Sequence, residues 1–484
     1  MISFIKKHSI PIGLVVGNII IKLVFLTSQP ISHDEPFTIY HAQFDLFYLI
    51  DYLKNYNNPP LFEILLHFWI KQFGISELSV RILPMLFSSF SVLFIYKIGK
   101  TFFDDKTAIV SSLLFTFSIL QIWYAHDCRV YSLFLLLTLI SFYLFFSLLK
   151  DGTLSTWKLV GFILSNVLLL YSHYFGAFVW LLEGLIVVLC FIRNKTILVT
   201  FIKVCIIGLV MFLPHVFVLY QRFSESAQRG TWLEIPSGLE SLYNMIWSFT
   251  NAPVVAVMSI VILAACLIKF SMSSKKRIQN PFIKYVILWF LFPFFFMFFV
   301  SYKVPMFLDR YLIFITPALY LLLAVGLSFL FEKKKLYYSA SFILVGAFLF
   351  SSTLNPDKKR LVRDIVDYIK FNKTSRTIVL GCSPEFITNF TYYYNPSYFQ
   401  GINQDSEYGM LEEQLKNENI YFIHRLDSNL INSINEFDKI IYIDAAADFS
   451  SPDNNIKNDL LSLYKIDNEQ FYYEIFNIYS FSKK

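Results

Sequence analysis

Runs of about 20 apolar residues recur through the first 353 positions, and that is the length a helix needs to cross the hydrocarbon core of a bilayer. Inside lipid every backbone N–H and C=O must pair within the protein, so such runs can only be helices. The sequence places spans near 8–28, 79–97, 106–123, 130–149, 158–174, 175–193, 197–220, 252–270, 282–300, 311–331 and 336–353, about eleven in all, with the fifth and sixth nearly fused. Composition agrees: 56% of residues are hydrophobic, 16% are charged and mean hydropathy is +0.54, which excludes a soluble chain of 484 residues. The first apolar run is followed by no small-x-small cleavage site, so it is read as a retained span. Five scattered cysteines with no C-x-x-C spacing suggest neither a disulfide framework nor a thiolate metal site.

The net charge of +6 is a topological signal, and no nucleic-acid partner is expected. With Lys6 and Lys7 on the cytoplasmic side, every second loop should be basic. Those loops carry Lys97, Lys100 and Lys106; Lys150 and Lys158; Arg193, Lys195 and Lys203; Lys269, Lys275, Lys276, Arg277 and Lys284; then Lys333, Lys334 and Lys335. The alternation predicts a cytoplasmic N-terminus and, with an odd number of spans, residues 354–484 outside. There Asn, Asp, Lys and Tyr replace Leu and Phe. The tail reads as helix 357–371, strand 376–381, helix 384–394, helix 406–417, strands 419–424 and 438–444, helix 456–465 and a Tyr-rich hairpin, a small α/β domain. The expected architecture is therefore a polytopic α-helical membrane domain, residues 1–353 with an external loop at 29–78, followed by a small C-terminal α/β extracytoplasmic domain, residues 354–484.

This topology gathers four polar clusters on the outer side. The first loop carries Ser32-His33-Asp34-Glu35-Pro36, Asn57-Asn58-Pro59-Pro60 and Arg81. The turn after the third span reads Tyr124-Ala125-His126-Asp127-Cys128-Arg129-Val130-Tyr131, the fifth span ends Tyr171-Ser172-His173-Tyr174, and the tenth begins at Asp309-Arg310-Tyr311. Adjacent acids at a low-dielectric boundary are unfavourable unless used. Arginine suits phosphate because its fork donates two parallel hydrogen bonds, and a carboxylate near a hydroxyl can act as a general base. Each feature also has a plainer structural explanation. Ser32 or Asp34 could cap a helix Phe37–Leu53 with Pro36 at its first position, Asp127 could cap the fourth span, Pro59-Pro60 could mark a helix start, and Arg129 and Arg310 could snorkel to lipid headgroups. Lys22 and Glu183, inside spans, should face the bundle.

The Asp34-Glu35 pair, Pro59-Pro60-Leu61, Ser79-Val80-Arg81, the Tyr131-Ser132-Leu133 helix after an acidic-x-Arg turn, His173-Tyr174-Phe175, and Arg310-Tyr311 before a Pro317-containing span together resemble one family. It is the bacterial membrane glycosyltransferases of GT-C fold, family 39, relatives of the dolichyl-phosphate-mannose protein mannosyltransferases and of the aminoarabinose transferase that modifies lipid A. The resemblance covers about residues 8–331. It implies a polyprenyl-phosphate sugar donor, an extracytoplasmic acceptor (protein, lipid A or another cell-surface glycan), inverting transfer and a bacterial inner membrane. Carried over by position, Asp34 would be the catalytic carboxylate, with Glu35 orienting it or touching the acceptor. Asp127 would be the second acid, and Arg129 and Arg310 would meet the donor phosphate. His173, Tyr174, Asn58, Arg81 and Tyr311 are the further substrate-binding candidates. Relatives commonly show His-Pro-Pro where this chain has Asn58-Pro59-Pro60, and Glu-Ala-Arg where it has Asp127-Cys128-Arg129.

The chemistry is coherent without the family. A phosphate leaving group needs cationic stabilisation. One base suffices for direct inversion, whereas retention calls for a second carboxylate ~5 Å away as nucleophile. No Asp-x-Asp of nucleotide-sugar enzymes lies in the outer loops, and no cofactor is required, although a divalent cation could bridge phosphate and His or Glu. Two other classes compete: a flippase or transporter of lipid-linked saccharide, which would show mid-bilayer polar sites and interrupted helices in paired positions, and a glycan polymerase or ligase using lipid diphosphates.

Overall fold

The computed structural model describes residues 2–55, 58–229, 233–272, 280–357, 361–405, 408–445, 447, 454–472 and 476–484. Asn57 and the basic stretch Lys275, Lys276 and Arg277 lie outside the described residues. The chain forms two compact units. One comprises Met1–Leu26, Ile50–Phe62 and Arg81–Pro356; the other comprises Thr27–Leu49, Glu63–Val80 and Asp357–Lys484. The second unit thus takes in two segments of the first loop as well as the C-terminal residues.

The first unit is helical, and the chain is a multi-pass membrane protein. Its helices include α1 (Ile2–Leu23), and α2 (Glu35–His41), α3 (Leu46–Leu53) and α4 (Leu61–Phe73) follow in the chain before α5 (Glu77–Phe102). Next come α6 (Asp105–Thr116), α7 (Ile119–Ala125), α8 (Tyr131–Asp151), α9 (Thr156–Ser172), α10 (Gly176–Phe191) and α11 (Lys195–Arg229). The series continues with α12 (Leu239–Thr250), α13 (Pro253–Met272), α14 (Phe282–Val300), the short α15 (Asp309–Leu312), α16 (Thr316–Leu330) and α17 (Lys334–Ser351). Among the described residues six helices are long and apolar enough to cross a membrane alone, or seven with the bent pair α6–α7 taken as one; Ser9–Leu23, α9 and α10 are apolar but shorter.

Apolar on every side, α8 is buried almost throughout and forms the centre of this unit. Phe142 on α8 stacks on Trp289 of α14 at 3.8 Å, and the Trp289 indole donates to the Phe314 carbonyl at 3.0 Å. By contrast α11 and α13 expose Leu209, Leu213, Phe217, Val257 and Val261, as lipid-facing helices must. The two ionisable residues expected to face inward do so: Lys22 and Glu183 are fully buried, Lys22 on the Ser88 hydroxyl and Glu183 accepting from Ser141 at 2.6 Å.

The expected third span is broken. Its halves bend by 61° at Phe117–Ser118. The backbone groups freed at the bend are met by Asn251, which donates to the Phe117 carbonyl and accepts from the Ile119 N–H, each at 2.7 Å. The fifth and sixth spans are nearly fused, as expected: α9 ends at Ser172 and α10 begins at Gly176, and His173 stands in the short break outside both helices. The expected helix Phe37–Leu53 is likewise two helices, α2 and α3, separated at Ala42–Asp45. The helices α12 and α21 (Ser428–Ile434) were not expected.

In the second unit a five-stranded sheet has the order β2-β1-β3-β5-β4. Its strands are β1 (Thr377–Cys382), β2 (Ile420–Ile423), β3 (Lys439–Ala445), β4 (Tyr464–Tyr472) and β5 (Phe476–Lys483). β1 pairs in parallel with both β2 and β3, with Ile378 opposite Ile440, and is buried along its whole length. The Tyr-rich end forms the antiparallel β4–β5 hairpin, with β5 antiparallel to β3. The helices are α18 (Val362–Asn372), α19 (Ile387–Tyr394), α20 (Gly409–Lys416) and α22 (Asn455–Leu463) in addition to α21. This is the small α/β domain expected of the tail, and it is joined by the first-loop helix α2, which packs on α19.

Candidate functional site

In the first unit the ends of α7 and α9 meet the starts of α8, α10 and α15. The Tyr124 hydroxyl at the end of α7 donates to Asp309 Oδ1 at 3.1 Å, and the Arg310 backbone N–H donates to the same oxygen at 2.6 Å. Tyr131 packs edge-on against Tyr124 at 4.9 Å, and Ser132 ties α8 back to α7 by donating to the Tyr124 carbonyl at 2.8 Å.

His173 sits in the middle of this group. Its ring stacks on Phe134 at 5.0 Å and on Phe175 at 5.4 Å, with Tyr311 at 5.8 Å and Tyr131 at 6.1 Å. The Phe175 N–H donates to His173 Nδ1 at 3.2 Å, so Nε2 carries the proton of the neutral ring. Burial pushes its pKa down to about 3, and the positive charges of Arg129 and Arg310 push the same way. The imidazole is therefore neutral, and two guanidiniums bear on it from separate loops. Gly176 makes the tight turn possible, because a Cβ there would lie 2.6 Å from the Leu169 carbonyl oxygen.

The structure thus brings together Arg129, Arg310, Tyr311 and His173, with Asp127 half-buried two residues before Arg129. Arg310 lies over the Tyr311 ring, 5.4 Å from its centroid, and two guanidiniums near one point suit an anion with several oxygens, of which phosphate is one. Tyr174 turns elsewhere and meets His215 of α11 at 3.3 Å. Arg81 is fully buried and donates to the Leu26 carbonyl at 3.1 Å, beyond the end of α1. Asn58 is half-buried in the bend before Pro59 and α4. His126, part of the turn singled out in the sequence, donates from Nε2 to the Lys22 carbonyl at 2.6 Å and so anchors the turn.

Asp34 and Glu35 belong to the second unit. Asp34 stands at the start of α2, exposed, and its side chain makes no capping bond to the helix, contrary to the plain capping explanation. Glu35 is buried and accepts from the Ser32 N–H at 3.2 Å, so it closes the turn that carries Asp34. His33 adopts the left-handed conformation, φ 55°.

Asp309 was noted in the sequence but given no role, and Tyr124 was read only as part of the turn. Their pairing spans 185 positions, and local spacing carries no signal of it. Among the described residues no group of three or more His, Cys, Asp or Glu side chains is arranged to hold a metal ion.

Residues 57–218 match the family model described as dolichyl-phosphate-mannose-protein mannosyltransferase. The whole chain superposes on ArnT from Cupriavidus metallidurans, in its apo state and bound to undecaprenyl phosphate, with TM-score 0.59, 11% identity and 98% of each chain covered. It also superposes on the archaeal oligosaccharyltransferase AglB from Archaeoglobus fulgidus in complex with an inhibitory peptide and a dolichol-phosphate, with TM-score 0.52 and 9% identity over 99% of this chain and 75% of that one. No curated protein sequence matches.

Proposed function

We propose that this chain, which has the fold of the GT-C glycosyltransferases, transfers a sugar with inversion from a polyprenyl-phosphate donor to an acceptor outside the cytoplasm. The observation that carries the reading is the cluster in which His173 packs on Tyr131 and Tyr311 and Arg310 lies over Tyr311, with the charge of Arg129 also bearing on the imidazole, within a fold of this class. In this reading the two guanidiniums hold the donor phosphate and stabilise the charge that grows on it as the sugar leaves. Asp34 takes the proton from the acceptor hydroxyl, whose oxygen forms a bond to the anomeric carbon while the bond to phosphate breaks. Polyprenyl phosphate departs as the anion. Glu35 keeps the Asp34 turn closed, and Asp127 is the second acid. Asn58 and Tyr311 are proposed to line the substrates, whereas Arg81, buried on the Leu26 carbonyl, and Tyr174, turned to His215, are left out of that role.

The basic-loop alternation supports a cytoplasmic N-terminus and a C-terminal domain outside, and the inner membrane of a bacterium is what the family resemblance implies. No resident cofactor enters this scheme, and addition of EDTA tests whether a divalent ion bridges the phosphate. The deciding experiment reconstitutes the full chain in proteoliposomes with undecaprenyl-phosphate mannose and undecaprenyl-phosphate aminoarabinose, offered with envelope extracts as acceptor. Wild type should turn over one donor, and Asp34→Asn should lose at least ~100-fold in rate with expression and insertion intact. Full turnover by Asp34→Asn rejects Asp34 as the base.

A further inference from the structure

We propose that the C-terminal domain works as the scaffold that positions Asp34, and that Tyr393 is the positioning residue; this rests on the reading of Asp34 as the base. A base must be held to a fraction of an ångström, yet Asp34 stands on an exposed turn, where a chain is ordinarily mobile. Within the second unit that turn is gripped from α19. The Tyr393 hydroxyl accepts from the Ile31 N–H at 2.5 Å and donates to Glu77 Oε1 at 2.6 Å. Four residues earlier, on the same face of α19, Asn389 donates to the His33 carbonyl at 3.3 Å. The backbone is therefore held at Ile31 and at His33, immediately before the carboxylate.

Two further ties act around this grip. Glu77 is fixed by an ion pair with Arg363 of α18, so the acceptor of the Tyr393 hydroxyl cannot drift. Beyond Asp34, the Tyr40 hydroxyl on α2 donates to Asp405 Oδ2 at 2.5 Å, which secures the far end of the same helix. The left-handed His33 persists because these neighbours over-determine it. A domain that only bound an acceptor would not need hydrogen bonds to the main chain of the turn bearing the base.

The test compares two variants of the full-length protein that each remove one tyrosine hydroxyl from α19. Tyr393→Phe should raise amide hydrogen exchange at residues 29–36 about tenfold and lower kcat about tenfold, with the KM for donor unchanged within about twofold. Tyr394→Phe, which removes an equally short hydrogen bond (2.6 Å, to Glu418), should move neither quantity. Unchanged exchange at 29–36 in Tyr393→Phe overturns the proposal whatever the activity. So does unchanged kcat, or an equal loss in Tyr394→Phe, which would mark general destabilisation. The two readings fail separately. A wild type inactive on both donors, or a fully active Asp34→Asn, sinks the assignment of the base, whereas an inactive Asp34→Asn beside an unimpaired Tyr393→Phe sinks only the positioning role.

Discussion

Tyr124 donates a hydrogen bond to Asp309, 185 positions away in the chain, and so joins the turn carrying Asp127 and Arg129 to the loop carrying Arg310. Because Asp309 also accepts from the Arg310 N–H, the pair determines where the second guanidinium starts. Tyr124→Phe should destabilise the protein by about 1–2 kcal/mol, the value of a hydrogen bond to a charged group less what relaxation recovers. It should also raise the KM for donor while leaving residual kcat largely intact. Thermal unfolding in detergent and steady-state kinetics check both; an unaltered KM would detach this pair from donor binding.

Arg129 and Arg310 should not tolerate lysine. The ammonium retains the charge but loses the planar fork that meets two phosphate oxygens at once. Arg129→Lys and Arg310→Lys should each lower kcat/KM about tenfold and the alanine variants about 100-fold, by analogy with the loss of one transition-state donor. Snorkelling side chains would instead give near-wild-type rates with lysine.

The buried His173 should make the protein acid-sensitive. Its native pKa is about 3 against 6.5 for the free side chain, so between those values the unfolded state binds a proton that the native state refuses. The stability it contributes is complete above pH 6.5 and is lost as pH falls toward 3. His173→Phe keeps the stack on Phe134 and removes the titrating group. Its melting temperature should therefore fall less between pH 7 and pH 5 than that of wild type, and an equal fall would show that other groups govern acid sensitivity.

Asn251 should be a stability determinant of the membrane unit. It satisfies both sides of the break in the third span, donates to the Phe348 carbonyl at 3.0 Å and adopts φ 73°. Asn251→Ala loses these bonds and adds left-handed strain, for a cost of about 2–4 kcal/mol. Asn251→Gly, free of the strain, should cost less. Equal melting temperatures for the two variants would remove backbone strain from this account.

Most of the membrane architecture was legible along the chain, because a lipid-spanning helix must be apolar over its own length and that requirement is local. The tail was legible for a similar reason: short apolar strands such as Ile378-Val379-Leu380 stand out between polar helices. Sequence alone also singled out Arg129, Arg310 and His173, as guanidinium and imidazole groups gathered at one expected membrane face, and the family resemblance assigned the two arginines to the donor phosphate.

What only the tertiary structure decided were relations between distant residues. Nothing local marks Asn251 as the partner of a bend at Phe117–Ser118, Tyr124 as the partner of Asp309, or Tyr393 as the partner of Ile31. A hydrogen bond depends on separation in space, and identical side chains on α19, Tyr393 and Tyr394, take partners as different as Glu77 and Glu418 because they leave the helix in different directions. Residue type and period determined which segments cross the membrane and which form the sheet; packing alone determined which of their polar groups meet.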